Sequence, residues 1–184
     1  MTRILVVYGT RSGCTTTIAE RIGQSLRSLP EGMPGPADGG PVEVDVAEAE
    51  TAPSPGSYDA VIVGSGVRSG AWHTSAAEWV RVHAEVLRET PVAFFTVGLS
   101  VATDPRNAEV VRRYTDALVD ETGVRPVDVA VFPGWYHPQK FRLHERIMMR
   151  AVHTPEGDFR DLPAVAAWAR DVAPLLASMS TAGD

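Results

Sequence analysis

Five apolar runs punctuate the chain, at about 3–8, 42–46, 59–65, 91–99 and 126–134. Each is followed by a polar or glycine-rich break. "ILVV" at 4–7 and "DAVIVGS" at 59–65 do not alternate, which is the pattern of strands covered on both faces. "VEVDV" at 42–46 alternates, as a less enclosed strand does. Between the runs the apolar residues recur at helical spacing. The spacing predicts a helix over 15–29, with Ile18, Ile22, Leu26 and Leu29 near one face. Further helices are predicted over 74–89, started by Thr74 or Ser75, over 105–123, closed by Gly123, and over 161–179. Asp161 caps the last of these, with Pro163 in its first turn. The Pro- and Gly-dense stretches at 29–41 and 52–57 read as surface connections.

Strands alternating with helices predict one α/β domain over 1–184, with a parallel sheet and helices on both faces. An insertion follows the fifth strand at about 133–153, irregular at first and ending in a short helix. In such sheets ligands bind at the carboxyl ends of the strands, where the strand order reverses. Attention therefore falls on the loops at 9–16, 64–73 and 98–106, all rich in Gly, Ser, Thr or Arg.

The bulk properties narrow the function. A net charge of −6 argues against a nucleic-acid binder, which needs a basic footprint. One cysteine rules out an internal disulfide framework and fits a reducing compartment. The start does not resemble a signal peptide, and no apolar run approaches a membrane span, so a cytoplasmic protein is expected. Homo-oligomerisation stays open. His83, His144 and His153 have no metal-ligand spacing, and no metal is expected.

The first loop, "YGTRSGCTTTIAERI" at 8–22, carries far more hydroxyls than one helix cap needs. Backbone N–H groups at a helix start, joined by hydroxyls, suit a phosphate. The loop has no lysine, so it is not an ATP-type phosphate loop, and Gly9 and Gly13 do not form the dinucleotide fingerprint. A terminal phosphomonoester such as that of FMN is the remaining reading.

Thr10-x-Ser12-Gly13-x-Thr15 resembles the flavodoxin phosphate loop, with Cys14 where flavodoxins often have Asn. "YDAVIVGSGVRSGAWHTSAAEWV" at 58–80 resembles the flavin-ring loop of one flavodoxin branch, the menaquinone-dependent protoporphyrinogen IX dehydrogenases. Its marks are Gly64, Ser65, Gly66, Arg68, Gly70 and His73, with the Ser one place early. The insertion "FPGWYHPQKFRLHERIMMRAV" at 132–152 also has the character of that branch.

The resemblance implies a flavodoxin-like doubly wound sheet in the order 2-1-3-4-5, holding FMN. Thr10, Arg11, Ser12, Gly13, Cys14 and Thr15 would hold its phosphate. Ser65, Gly66, Val67, Arg68, Ser69, Gly70 and Trp72 would border the ring, with Gly98, Leu99 and Ser100 at the next strand end. Trp72 either lies against the flavin or packs in the protein, and His73 is either a proton relay or a cap. Cys14 reads as a small residue beside phosphate, since a phosphate opposes thiolate formation. Arg68, with His73, is the candidate for chemistry, because a cation near the ring favours its negatively charged reduced form. The loop after strand four has no aromatic to cover the flavin, which leaves a face for a flat substrate.

The activity implied is an FMN-dependent dehydrogenase that passes electrons from a reduced tetrapyrrole to a quinone. A flavodoxin-type electron carrier and a relative oxidising another aromatic substrate are the alternatives. Lys140, Arg142, Arg146 and Arg150, interleaved with bulky apolar residues, make 139–152 a candidate for peripheral contact with the inner membrane face or for substrate carboxylates.

Overall fold

The computed structural model describes residues 2–29, 42–140, 142–151 and 155–180, without the side chains of Arg68, Glu145, Met148, Met179 and Ser180. Most of the connection expected at 29–41 lies outside them.

The main sheet is built from β1 (Thr2–Gly9), β2 (Val42–Glu48), β3 (Ala60–Arg68), a short β4 (Ala71–Trp72), β5 (Val92–Gly98) and β6 (Asp128–Pro133). The long strands are all parallel, in the order β2-β1-β3-β5-β6. Leaving out β4, which folds back antiparallel on β3, this is the predicted 2-1-3-4-5 order. The strand order reverses at β1 and β3, and their carboxyl ends carry the first and third loops.

Both faces of the sheet are covered, which is why the strands read as continuous apolar runs. Ile4, Val6, Ile62 and Phe95 face α1 (Cys14–Arg27) and α7 (Leu162–Ser180). Leu5, Val7, Val61, Val63 and Phe94 face α2 (Thr74–Val82), α3 (Ala84–Glu89) and α5 (Asn107–Thr122). Phe94 and Phe95 have no exposed surface, and each contributes about 1.5–3 kcal/mol of burial. A side chain at Gly64 would start 1.9 Å from the Phe95 ring, so that ring fills the place a Cβ would take on β3.

The helix expected over 15–29 ends earlier, at Arg27, while the stop at Gly123 and the start at Asp161 hold. Gly123 ends α5 at φ 70, donating its N–H to the Val119 carbonyl at 2.8 Å. Asp161 Oδ1 accepts the Ala164 amide at 2.9 Å. The helix expected over 74–89 is instead two, divided at His83. That side chain turns back onto the Trp79 carbonyl through Nδ1 at 3.0 Å and stacks on the Trp79 ring at 4.6 Å. A side chain that hydrogen-bonds its own helix backbone competes with helix continuation. Neither Thr74 nor Ser75 occupies the cap position of α2, which falls to His73.

The stretch after β5 is not all loop, since Leu99–Thr103 forms a short helix, α4. The insertion leaves the end of β6 as β7 (Trp135–Tyr136), passes through a 3₁₀ turn at Pro138–Lys140 and α6 (Leu143–Ala151), and returns as β8 (Gly157–Asp158). β7 and β8 pair antiparallel, Trp135 with Asp158 and Tyr136 with Gly157.

Candidate functional site

The first loop closes on itself. Gly13 sits at φ 84, in the left-handed region, and donates its N–H to Thr10 Oγ1 at 3.1 Å. Among the described residues no side chain caps α1 and no acid lies in its first turn. The amides of that turn therefore keep their donor capacity, and the positive end of the helix dipole faces the loop. Cys14 and Thr15 are buried beneath it, while Arg11 is exposed at its rim.

The third loop is a tight β-hairpin. Val67 pairs with Trp72 and Arg68 with Ala71, and the two residues between, Ser69 at φ 51 and Gly70 at φ 76, make the turn. Positive φ at both central positions is the I′ geometry that matches strand twist. The first and third loops meet, because a Cβ on Gly66 would come within 3.1 Å of Thr15 Oγ1.

Ser65 is fully buried, and its hydroxyl joins two segments of the chain. It accepts the His73 amide at 2.7 Å and donates to the Gly66 carbonyl at 3.0 Å. The His73 ring contacts Ser75 Oγ through Nδ1 at 2.8 Å. Trp72 is buried, 7% exposed. Its indole N–H donates to Thr115 Oγ1 at 3.1 Å, Thr115 meets Thr96 at 2.8 Å, and the ring stands edge-on to Phe94 at 5.3 Å. The hairpin is thereby anchored to α5 and β5. Arg68 is placed by its backbone, the last residue of β3, with its side chain outside the described parts.

At the β5 end Gly98 is buried, Leu99 half-buried and Ser100 exposed. The Ser100 carbonyl accepts Asn107 Nδ2 at 2.9 Å and Thr103 Oγ1 at 2.8 Å, which fixes the corner between α4 and α5.

Three further residues complete this end of the sheet. The Gly134 amide donates to the Gly98 carbonyl at 3.3 Å. The Trp135 backbone amide reaches the Cys14 thiol. Arg160 lies over the Trp135 ring at 5.3 Å and donates through Nε to Asp158 Oδ1 at 2.8 Å, holding that carboxyl below the usual range. Burial pushes the Cys14 thiol up to about 11, against smaller lowering effects of the Trp135 amide and the Arg160 charge, so it is a neutral thiol at pH 7. Gly134 and Trp135 lie in the insertion at 132–152, which the sequence marked only as a whole. Arg160 reaches Trp135 through the β7–β8 pairing, which no local pattern reveals.

Among the described residues no group of three His, Cys, Asp or Glu side chains could hold a metal ion. None of their helices is long and apolar enough to cross a membrane.

The sequence model of the flavodoxin domain matches residues 5–162. The chain belongs to the flavodoxin family. Its cofactor is FMN, and the first loop of this flavodoxin-family chain fits the phosphate end of that group: an uncapped helix start, a left-handed Gly13, and a cradle at Gly66 that a Cβ would fill. The chain is 26% identical to the protoporphyrinogen IX dehydrogenase [quinone] of Escherichia coli K12, over 94% of this chain and 96% of that protein. It is 26% identical to the Leishmania major protein of the same name, over 94% of this chain and 75% of that one. In fold it matches an archaeal flavodoxin with a TM-score of 0.57 at 15% identity, over 95% of this chain and 99% of that one. A flavodoxin of Streptococcus pneumonia TIGR4 matches with a TM-score of 0.53 at 16% identity, over 96% and 99%.

Proposed function

We propose that this chain is an FMN-dependent dehydrogenase that takes electrons from protoporphyrinogen IX and delivers them to a quinone. The observation that carries the reading is the end-to-end likeness to dehydrogenases of that name, which runs through the insertion as well as the sheet. Bound FMN supplies reversible two-electron redox chemistry that the side chains of this site lack.

The chain's own residues bind and orient. The first turn of α1 and the hydroxyls of Thr10, Ser12 and Thr15 receive the phosphate. The Arg68–Trp72 hairpin borders the ring, with Ser65 and Trp72 holding its position. Arg68 brings a permanent charge to the end of β3, which lowers the cost of placing negative charge nearby. The His73 ring, oriented by Ser75, is the titratable group closest in sequence to that hairpin. The loop at 98–106 carries no aromatic, which supports an uncovered face where a flat substrate stacks. A quinone acceptor is lipid-soluble, so the reading places the protein in the cytoplasm at the inner membrane face. Exposed Leu143 and Ile147 on α6 support contact there.

The test is steady-state turnover of protoporphyrinogen IX under anaerobic conditions with a soluble quinone. The expected result is quinone-dependent formation of protoporphyrin IX, slowed about tenfold or more in Arg68→Gln while FMN content stays normal. A protein that holds FMN, shuttles electrons between partner proteins and does not oxidise the porphyrinogen would be a flavodoxin-type carrier instead.

A further inference from the structure

The insertion contains a cleft lined by Tyr136, Pro138, Arg146, Arg150 and Glu156. Arg146 and Arg150 are one helical turn apart on α6, so they stand side by side along one edge of the helix. Leu143 and Ile147 occupy the neighbouring edge and point outward, 70% and 62% exposed. Neither guanidinium takes part in an ion pair among the described residues, and the cleft brings together two cations and one carboxylate. The opposite wall comes from Tyr136, which is 4% exposed and paired in β7 with Gly157 of β8.

This wall is fixed to the cofactor end of the sheet. Gly134, two residues before Tyr136, is hydrogen-bonded to Gly98, and the Trp135 backbone amide lies near Cys14 at the start of α1. The Phe159 amide, just after β8, donates to the Gly134 carbonyl at 3.2 Å. The cleft thus sits one short ribbon away from the flavin loops.

We infer that the Arg146–Arg150 cleft is a carboxylate subsite that receives the propionate groups of the tetrapyrrole. The inference rests on the dehydrogenase reading and adds to it the residues that recognise the substrate. A macrocycle with carboxylates at its periphery needs cations beside the redox centre, not within it, and two guanidiniums one turn apart match a pair of neighbouring carboxylates. An anionic lipid surface is the weaker occupant. These arginines line a concavity that a flat bilayer does not enter, they share it with Glu156, and the chain as a whole carries a charge of −6.

The experiment compares protoporphyrin IX with its dimethyl ester, as ligands of the FMN-loaded protein, by fluorescence titration. The parent should bind the diacid more tightly than the ester. The double variant Arg146→Gln, Arg150→Gln should lose about 10- to 100-fold in affinity for the diacid and little for the ester. Both changes are on an exposed helix edge, and FMN content together with circular dichroism confirms that the variant is folded. A variant that binds the diacid as tightly as the parent overturns the subsite while leaving the dehydrogenase reading intact. The same holds for a variant that loses only its binding to anionic phosphatidylglycerol vesicles, which would assign the arginines to lipid. A parent that binds neither porphyrin overturns both the subsite and the dehydrogenase reading.

Discussion

The parallel sheet and the insertion treat their apolar residues in opposite ways. Ile4, Leu5, Val61, Ile62, Phe94 and Phe95 have no exposed surface, whereas Leu143 and Ile147 of α6 are mostly exposed. The sheet is closed by helices on both sides, so its side chains are chosen by packing. The insertion is held through a two-residue ribbon, the Gly134–Gly98 hydrogen bond, the approach of the Trp135 amide to Cys14, and Arg160 against Trp135. On α6 the side chains of Leu143, His144, Arg146 and Ile147 are exposed to what lies outside the domain, while Tyr136 of β7 is buried. The difference separates a scaffold, which fixes three loops in space, from an appended surface that can change its ligand without disturbing the scaffold.

Substitutions in the two regions should differ widely in their effect on stability. Gly64→Ala drives a Cβ into the Phe95 ring and should cost about 3 kcal/mol or more in urea denaturation. The pair Leu143→Gln, Ile147→Gln should change stability by less than about 0.5 kcal/mol. Comparable losses in the two variants would mean that the insertion is part of the core.

The loops that the scaffold holds give the next largest effect. Thr15 is 2% exposed at the start of α1, and Thr15→Glu sets a like charge against the phosphate. FMN affinity should fall by at least about 100-fold, read by flavin fluorescence, with Thr15→Val as the uncharged control. Equal affinity in the Glu variant and the parent would move the phosphate elsewhere.

Cys14, where scaffold and insertion touch, predicts a pH effect. Its folded pKa is raised from 9.0 to about 11, so the unfolded chain releases the proton first. Stability from this group is fully present below pH 9 and is lost as pH rises through 11, by at most about 3 kcal/mol. Cys14→Ala should flatten that part of the stability–pH curve, and the parent thiol should react slowly with disulfide reagents at pH 8. A thiol modified quickly at pH 8 would show that the insertion does not cover it.

The smallest effect concerns the hairpin. Ser69 holds a left-handed conformation that Asn adopts more readily, so Ser69→Asn should stabilise by about 0.5 kcal/mol. A loss of stability would mean that the turn is not I′ in solution.

The sheet was legible because its strands are long and covered on both faces, which writes them as apolar runs. The first loop was legible as the tight turn into α1 because Gly13 supplies the left-handed residue that such a turn uses. The hairpin was read only as a loop, since β4 has two residues and no period can show in two. The β7–β8 ribbon escaped for the same reason, and with it the approach of Arg160 to Trp135 and Cys14. The break at His83 depends on a side chain folding back onto its own helix, which apolar spacing cannot record. The hydrogen bond of Trp72 to Thr115 joins residues more than forty positions apart, which no local pattern records.

A dehydrogenase of this kind requires its flavin to take electrons directly from the tetrapyrrole. Mixing the oxidised FMN-loaded protein with protoporphyrinogen IX under argon, and following flavin absorbance near ~450 nm, tests it without any acceptor or partner. Rapid bleaching of the flavin is expected, followed, when a quinone is added to accept the remaining electrons, by return of the flavin colour together with porphyrin absorbance. Flavin that stays oxidised in the presence of excess porphyrinogen, yet is reduced by dithionite and reoxidised by quinone, would contradict it.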